Sequence, residues 1–466
     1  EKIMSAQLYI DKKPYAFTPG ETILTVASRN GIFIPTLCFK EGAVHKASCM
    51  VCAVKNCANG QILPSCSSLA QDGMDIASEN PEISAIRKSA LELLLSDHRA
   101  DCEAPCRRAC PGSLDIAAMN RYIEAGQNDK ALLLLRNDLV FPASLCFICK
   151  APCENICRRA EIEKAVPIRE IKKRLVREDK DMLLPSTLPK NGKKAAVGPS
   201  TPASLGVAWQ LMRLGWEVTI FDAEERAVRP HLADGSALPD DILQYELDVL
   251  RKAGIRFALG EKSPQLEWFD AVIEAGGGSW QPDAPFSVRY KVKHPARLVE
   301  EGIKTALQVH RHTLPAPLPE VLHPVENPYY RFQSTFFKLD TSEKEKLRES
   351  PLYNNATGCL FCDCDAKEDC RLRSHSSYLG CTASIFNKES KRKVGRQHLH
   401  GALWFEPAKC ISCGLCVYNT TNGATFQYRG FEMVVVIPQE NAPNVPETIA
   451  TLCPTGALCL TGRGAV

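Results

Sequence analysis

The cysteine residues constrain this chain more than any other feature of its sequence. The 466 residues include 22 cysteines, and the long stretch 158–358 contains none of them. They fall in four groups, at 38–66, 102–157, 359–381 and 410–459. A fold held together by disulfides would be small and secreted. Clustered thiols in a chain of this length indicate metal binding instead.

Composition narrows the class of protein further. The length predicts three or four domains, and 45% hydrophobic with 24% charged residues suffices for ordinary buried cores. A net charge of +3 does not indicate a nucleic-acid partner. We expect no membrane span, because no apolar run reaches about 18 residues, and no secretory signal is recognised at the start. The sequence therefore predicts a cytoplasmic, multidomain α+β protein that binds neither nucleic acid nor membrane.

Residues 1–78 predict a β-grasp [2Fe-2S] ferredoxin domain. Gln7–Ile10 and Pro14–Phe17 are typical of a short hairpin. Thr22–Asn30 is typical of an amphipathic helix, with Gly31 as its C-terminal stop. A hairpin, a helix and then a cysteine loop follow one another in the order found in β-grasp ferredoxins.

The cysteine loop of this domain has the spacing C-x10-C-x2-C-x13-C. Four thiolates are what a [2Fe-2S] cluster requires. A zinc site is the alternative, but such a site seldom uses so long and irregular a loop. Cys57 lies outside the pattern. The predicted ligands are Cys38, Cys49, Cys52 and Cys66.

Residues 79–180 predict a helical domain with two [4Fe-4S] clusters. A helix is expected over Pro81–Ser96, where isoleucine and leucine recur at helical spacing. Seven cysteines follow, one short of the eight ligands that two clusters need. A histidine at the helix end completes the count, although a histidine there can also be a cap or a surface group. The predicted ligands are His98, Cys102, Cys106, Cys110, Cys146, Cys149, Cys153 and Cys157.

The division of these eight ligands between two clusters stays open. One plausible division joins His98, Cys102 and Cys106 with a single late cysteine. Cys110 would then join the remaining late cysteines, because Pro111 follows it and a Cys-Pro pair is typical of a ligand that crosses to the other cluster.

Two segments resemble known families. The run LELLLSDH, with a cysteine four residues further on, resembles the large iron–sulfur subunit of respiratory complex I and of iron-only hydrogenases. This resemblance implies that His98 and cysteines hold a [4Fe-4S] cluster. Residues 102–171 carry the runs CRRACPGSLDI and CKAPCENIC and resemble the N-terminal domain of the glutamate synthase small subunit, which implies two [4Fe-4S] clusters.

The segment 190–312 keeps the layout of the flavin-binding Rossmann domain that comes next in the glutamate synthase family. The sequence predicts a strand at Lys194–Val197, a helix at Ala203–Leu214 and a strand at Glu217–Phe221. Asp222 stands where an acidic residue would bind a ribose hydroxyl.

The phosphate-binding fingerprint of that domain is lost. Its three glycines would fall at Pro199, Thr201 and Ser204. A proline fixes φ and removes an amide donor, and a β-branched side chain would occupy the space of the pyrophosphate. We therefore expect a degenerate Rossmann-like domain without FAD. An altered flavin site is the competing interpretation.

Residues 351–466 predict a C-terminal ferredoxin-like domain, and the proline- and aromatic-rich stretch 313–350 before it is expected to be an extended linker. The first cysteine group of this domain has the spacing C-x2-C-x-C-x5-C. We expect it to hold one [4Fe-4S] cluster, with structural zinc as the alternative. Its predicted ligands are Cys359, Cys362, Cys364 and Cys370.

The last cysteine group has the pattern C-x2-C-x2-C followed by a distant Cys-Pro, which is typical of half a bacterial [4Fe-4S] ferredoxin. In two-cluster ferredoxins a further cysteine closely follows the third, but Thr420 stands there, so one cluster is expected. Cys381 and Cys459 are left without a ligand role. Between the third and fourth ligands, FQYRGFEMVVVIP is expected to form a hairpin and NVPETIATLCP a helix. The predicted ligands are Cys410, Cys413, Cys416 and Cys453.

Together these patterns predict one [2Fe-2S] and four [4Fe-4S] clusters, bound through iron to the residues named above. No nucleophile–base pair stands out, so no catalytic residue is assigned and the chain is expected to transfer electrons. It resembles the iron–sulfur subunit of soluble, electron-bifurcating, NAD(P)-linked hydrogenase and formate dehydrogenase complexes of anaerobes.

This resemblance implies four kinds of partner. They are an NAD(H)-binding flavoprotein, a small [2Fe-2S] subunit, a catalytic subunit (hydrogenase favoured over formate dehydrogenase) and ferredoxin. Two alternatives stay open. One is a divergent flavin-containing NAD(P)H:acceptor oxidoreductase of the glutamate synthase small-subunit type, and the other is a scaffold that holds zinc.

Overall fold

The structure is a computed structural model. It describes residues 6–98, 102–228, 232, 238–261, 265–276, 280–288, 294–314, 341, 344–345, 348, 355–364, 366, 369–381 and 397–460. All 22 cysteines lie within these residues.

The N-terminal part forms a five-stranded mixed sheet with the strand order β2-β1-β5-β3-β4. The side chain of Thr22 caps helix α1 by accepting a hydrogen bond from the amide of Thr25. The predicted hairpin and helix are confirmed to within one residue at each end. The elements are β1 (Gln7–Ile10), β2 (Lys13–Ala16), α1 (Ile23–Arg29), β3 (Ala53–Asn56), β4 (Ile62–Pro64) and β5 (Asp75–Ala77).

A helical region follows the sheet, and its helices are short between the cysteines. The predicted helix over Pro81–Ser96 is confirmed as α2, which begins after the side-chain cap Asn80 and ends at Asp97. The elements are α2 (Pro81–Asp97), α3 (Pro105–Ala109), α4 (Ile116–Glu124), α5 (Asn128–Leu139), α6 (Pro142–Ile148), α7 (Pro152–Asn155), a 3-10 turn (Arg158–Glu161) and α8 (Ile168–Glu178).

A parallel five-stranded sheet with the order β10-β9-β6-β7-β8 forms the middle of the chain. The predicted strand–helix–strand layout is confirmed in β6, α9 and β7. One continuous hydrophobic core, which includes the fully buried Trp209, joins this sheet to the helical region. The elements are β6 (Lys194–Gly198), α9 (Pro202–Arg213), β7 (Glu217–Asp222), α10 (Asp240–Lys252), β8 (Arg256–Leu259), β9 (Ala271–Glu274), β10 (Phe286–Ser287) and α11 (Pro295–Thr313).

Helices α9 and α11 cross at two glycines. A Cβ atom on Gly206 would lie 2.3 Å from the carbonyl oxygen of Val299, and one on Gly302 would lie 2.1 Å from that of Ala203. Both distances are shorter than any ordinary contact, so only glycine lets the two backbones approach this closely. The crossing holds α11 against the sheet.

The C-terminal part contains a three-stranded antiparallel sheet and a separate hairpin. The hairpin predicted in FQYRGFEMVVVIP is confirmed as β13 and β14. The elements are α12 (Arg371–Tyr378), β11 (Gln397–His400), β12 (Leu403–Phe405), α13 (Leu415–Tyr418), β13 (Thr425–Gln427), β14 (Val434–Val436) and β15 (Leu458–Leu460).

The helix expected in NVPETIATLCP is only a 3-10 turn, Glu447–Thr451. Pro443 and Pro446 precede it and Pro454 follows it. Prolines lack an amide donor and disfavour helical backbone in the residue before them, so an α-helix has no room to propagate here.

Most of the predicted linker 313–350 lies outside the described residues, and the proposed domain boundaries stay predictions. Among the described residues no single helix is long and apolar enough to cross a membrane. The bent pair Asn128–Leu139 and Pro142–Ile148 meets the length and composition criteria for a span when the two helices are taken together.

We predict that Gly302→Val destabilises the protein, because the new side chain would meet backbone atoms of α9 that cannot move away. Overpacking of this kind costs about 1–3 kcal/mol in the free energy of unfolding. Gln308→Val on the exposed side of the same helix serves as the control. Chemical denaturation measures both, and equal midpoints for the two variants would contradict the crossing.

Candidate functional site

All 22 cysteines are free thiols, and most of them are buried. Burial disfavours a thiolate and so raises the pKa of a cysteine. It raises the pKa of Cys359 to about 11 and that of Cys370 to about 12. Thiolates gathered in such surroundings need a nearby positive charge, which a bound metal centre supplies.

The four cysteines of the first predicted ligand group meet in one place beside β3. Hydrogen bonds from Cys49 and Cys66 lower the pKa of Cys38, and a hydrogen bond from Cys66 lowers the pKa of Cys52 to about 7. The same contacts raise the pKa values of Cys49 and Cys66. The sulfur atoms are therefore mutual neighbours. Met50, with a φ of 55°, turns the loop between two of them.

The last predicted ligand group also comes together in space. Its four thiols line one cavity with apolar residues of α13 and β14 around it. The amide of Ser412 lies 3.3 Å from the sulfur of Cys410, and the amide of Leu458 lies 3.5 Å from that of Cys453. The left-handed backbone of Gly414 makes the turn between the second and third thiols. The four thiols are Cys410, Cys413, Cys416 and Cys453.

A third group of thiols surrounds one buried lysine. Lys172 in α8 is only 4% exposed and hydrogen-bonds Cys146. Burial would lower the pKa of Lys172, but four neighbouring thiols raise it above its usual value. These thiols are Cys110, Cys146, Cys149 and Cys153.

The segment 359–370 does not close on itself as its spacing suggested. Cys359 and Cys362 line a small cavity together with Cys106 and Cys157 from the helical region. Cys364 and Cys370 lie instead next to Cys102. Burial is the main cause that raises the pKa of Cys102, and the charges of Cys364 and Cys370 raise it further.

The grouping within 98–157 also differs from the division we considered. Cys102 and Cys106 lie in different groups, and Cys157 is the late cysteine that accompanies Cys106. Sequence spacing carried no signal for this arrangement, because the completing thiols lie more than 200 residues further along the chain. His98, which is 5% exposed, ends α2 four residues before Cys102.

Arg371 connects three of these groups. Its guanidinium donates a hydrogen bond of 2.7 Å to the carbonyl oxygen of Phe39 in the first cysteine loop. Burial lowers its pKa, and the charges of Cys413, Cys453, Cys49 and Cys370 raise it in part. Members of three thiol groups therefore surround one cation.

Three cysteines stand apart from the groups. Cys57, outside the first pattern, is exposed. Cys381 is buried near α2, with its sulfur 3.9 Å from the carbonyl oxygen of Lys88. Cys459 is buried in β15.

The loop where a Rossmann domain would bind phosphate is filled by its own side chains. Thr201 caps α9 and donates a 2.9 Å hydrogen bond to the carbonyl oxygen of Ala275. Asp222 accepts a hydrogen bond of 2.8 Å from the amide of Ser200. The indole of Trp280 packs on Gly198, 2.6 Å from where a Cβ atom would lie.

No three His, Cys, Asp or Glu side chains of the described residues are arranged to hold a single metal ion. A mononuclear zinc site would bring its ligands to one point. In a [4Fe-4S] cluster each thiolate binds a different iron. Groups of four thiols spaced around a cavity therefore fit a cluster better than they fit zinc.

Two family models match the chain. One, described as a 2Fe-2S iron–sulfur cluster binding domain, covers residues 4–81. The other, described as dihydropyrimidine dehydrogenase domain II with a 4Fe-4S cluster, covers residues 95–182. The chain is thus an iron–sulfur protein with a [2Fe-2S] domain and a [4Fe-4S] domain.

Curated relatives are similar over part of their length. The NADP(+)-dependent formate dehydrogenase subunit beta of Moorella thermoacetica is 30% identical over 37% of this chain and 29% of its own. The NAD-reducing hydrogenase HoxS subunit gamma of Cupriavidus necator is 33% identical over 21% of this chain and 42% of its own. The glutamate synthase [NADPH] small chain of Bacillus subtilis is 30% identical over 37% of this chain and 38% of its own. The chain therefore spans less than half of each of these relatives.

Solved structures match the chain locally as well. One of them is the crystal structure of an NAD+-reducing [NiFe]-hydrogenase in the H2-reduced state, with 30% identity over 21% of this chain and 45% of that chain, and a TM-score of 0.20. The formate dehydrogenase and hydrogenase relatives described above are subunits of NAD(P)-linked oxidoreductases.

We predict that Lys172→Met lowers the reduction potential of one [4Fe-4S] cluster, because removing a buried positive charge disfavours the added electron. A fall on the order of 60 mV corresponds to a tenfold change in a one-electron equilibrium. Redox titration followed by electron paramagnetic resonance (EPR) measures the potential. Lys164→Met, at an exposed position, is the control. Unchanged potentials in both variants would contradict a cluster beside Lys172.

Proposed function

We propose that this chain is an electron-transfer subunit that carries one [2Fe-2S] and four [4Fe-4S] clusters. It would pass electrons between a flavoprotein that reacts with NAD(P)(H), ferredoxin and a hydrogenase or formate dehydrogenase catalytic subunit, in a complex that bifurcates electrons. The observation that carries this proposal is the assembly of buried free thiols into adjoining groups of ligands.

The order of the groups supports a path for electrons. Cys38 of the first group and Cys413 of the last group are neighbours: burial and nearby thiols, including Cys38, raise the pKa of Cys413 to about 12. Cys453 of the last group similarly adjoins Cys370. Cys102 lies three residues before α3, Cys106 lies within it and Cys110 is its C-terminal cap. Each centre would thus have a neighbour to exchange electrons with.

The donor sets fit the clusters. Four thiols per centre are the usual ligands of both cluster types, and amide groups near Cys410 and Cys453 are placed to donate hydrogen bonds to sulfur, which tunes the potential. When bound, the clusters supply one-electron redox chemistry. The protein residues hold them, exclude water and set the charge around them.

Several residues support the absence of FAD from 190–312. The amides and hydroxyls at the start of α9 are engaged within the loop by Asp222, Thr201 and Ser204. Trp280 occupies the surface of Gly198 that a nucleotide would need. We therefore propose that the parallel sheet is retained as a scaffold and that the flavin belongs to a partner subunit.

The relatives support the proposed partners. The names of two relatives described above identify them as subunits of a formate dehydrogenase and of an NAD-reducing hydrogenase. An electron-transfer subunit needs both an electron donor and an electron acceptor, so we propose an NAD(H)-binding flavoprotein, a small [2Fe-2S] subunit and a catalytic subunit as companions. Free thiols fit a reducing compartment, and the cytoplasm is the proposed location.

We predict that anaerobically purified chain contains about 18 irons, as one [2Fe-2S] and four [4Fe-4S] clusters require, with matching acid-labile sulfide and no flavin. NAD(P)H should fail to reduce the isolated chain and should reduce it once a partner flavoprotein is added. Iron, sulfide and flavin assays with visible absorbance measure these quantities.

FAD bound near one per chain, with direct reduction by NAD(P)H, would favour the divergent flavin-containing oxidoreductase. Zinc in place of iron would favour the scaffold. Copurification without any hydrogenase, formate dehydrogenase or NAD-binding flavoprotein would contradict the assignment to such a complex.

A further inference from the structure

We propose that the segment 359–370 contributes two thiols to each of two separate [4Fe-4S] centres, both of which it shares with the helical region. This inference rests on the proposed function, because it assumes that the thiols bind iron–sulfur clusters. The first shared centre has the ligands Cys106, Cys157, Cys359 and Cys362. The second has the ligands His98, Cys102, Cys364 and Cys370.

The first shared centre is built around a small cavity that all four of its thiols line. Its two chain segments are fastened together beside it. The guanidinium of Arg159 donates a 3.0 Å hydrogen bond to the carbonyl oxygen of Gly358. The carboxylate of Glu124 accepts hydrogen bonds from the amides of Ala356 and Thr357, the latter at 2.6 Å. Side chains at the end of α4 and in the 3-10 turn Arg158–Glu161 thus hold the backbone of the returning segment.

An ion pair fixes the short piece of chain between the two centres. Asp363 stands between Cys362 and Cys364 in sequence, and its buried carboxylate binds the guanidinium of Arg121 through both oxygens, at 2.9 and 2.5 Å. A two-point pair of this kind fixes orientation as well as distance. The two flanking cysteines are therefore held at the junction, Cys362 beside the cavity of the first centre and Cys364 beside Cys102.

The second shared centre lies where the segment that begins at Cys364 returns to contact Cys102. The amide of Cys364 donates a 3.1 Å hydrogen bond to the carbonyl oxygen of Cys102. Glu103, the residue after Cys102, forms a buried ion pair with Arg373 at 2.5 Å. The amide of Arg373 also points at the sulfur of Cys370, at 3.4 Å. Two segments that are far apart in sequence therefore come together around this centre.

This arrangement makes 103–363 an insertion within one cluster-binding loop. The ligands before the insertion are His98 and Cys102, and those after it are Cys364 and Cys370. The parallel sheet and helices α3 to α8 lie within the insertion and share one core. Such a layout joins the middle of the protein to its C-terminal part through metal ligands, and it puts the two shared centres side by side.

The test counts intact [4Fe-4S] centres by Mössbauer spectroscopy in two double variants. Cys106→Ala with Cys359→Ala removes two ligands of the same shared centre, so one centre should be lost. Cys106→Ala with Cys364→Ala removes one ligand from each shared centre, so two should be lost. A self-contained site at 359–370 predicts the loss of two centres in both double variants, and that result would overturn the inference. Cys106→Ala with Cys381→Ala is the matched control and should lose one.

A second measurement keeps the inference testable if a double variant fails to fold. In the single variant Cys359→Ala, iodoacetamide should newly label Cys106, Cys157 and Cys362 in the native protein, as read by mass spectrometry. Labelling of Cys364 and Cys370 instead would overturn the sharing. An unsubstituted protein without iron would refute the proposed function itself, whereas iron-loaded protein with the other labelling pattern would refute only this inference.

Discussion

The structure depends on the cost of burying thiols. A buried thiol holds its proton tightly, and neighbouring thiolates raise its pKa further, as at Cys102 and Cys106. Gathering four such groups around one cavity is unfavourable unless a cation compensates them. In the proposed arrangement, bound iron would supply that compensation, and cluster binding would be coupled to folding, because the ligands come from different parts of the chain. The ligand groups would then act as internal crosslinks as well as redox centres.

Two positive side chains show how the protein adds to this compensation. Lys172 stands among the thiols of one centre, and Arg371 stands between three centres while it also binds the carbonyl oxygen of Phe39. A cation beside a cluster favours its reduced form, so in the proposed path such residues would set the relative potentials. The same arginine packs the N-terminal cysteine loop against the C-terminal part. Structural cohesion and redox tuning therefore depend on the same contacts.

The sequence was sufficient to predict those elements and thiol groups that depend on local structure. The hairpin at Gln7–Ile10, the strand–helix–strand unit from Lys194 and the thiol groups at 38–66 and 410–453 depend on neighbouring residues, or on a motif with one known spacing. The sequence was insufficient to predict the grouping of the thiols at 359–370. Four cysteines in a short segment look self-contained, and only tertiary structure brings Cys102 and Cys106 to them. The 3-10 turn Glu447–Thr451 shows the same limit on a smaller scale, since prolines on both sides overrode its helical pattern.

EPR spectroscopy of the stepwise-reduced protein tests the central claim of adjoining clusters most directly. The account predicts spin–spin interactions that appear when neighbouring clusters are reduced together, seen as split or broadened signals and fast relaxation at several centres. The interactions should include the [2Fe-2S] cluster, because Cys38 adjoins Cys413. Isolated, non-interacting signals at every stage of reduction would contradict the account, as would a folded protein that has no iron signal.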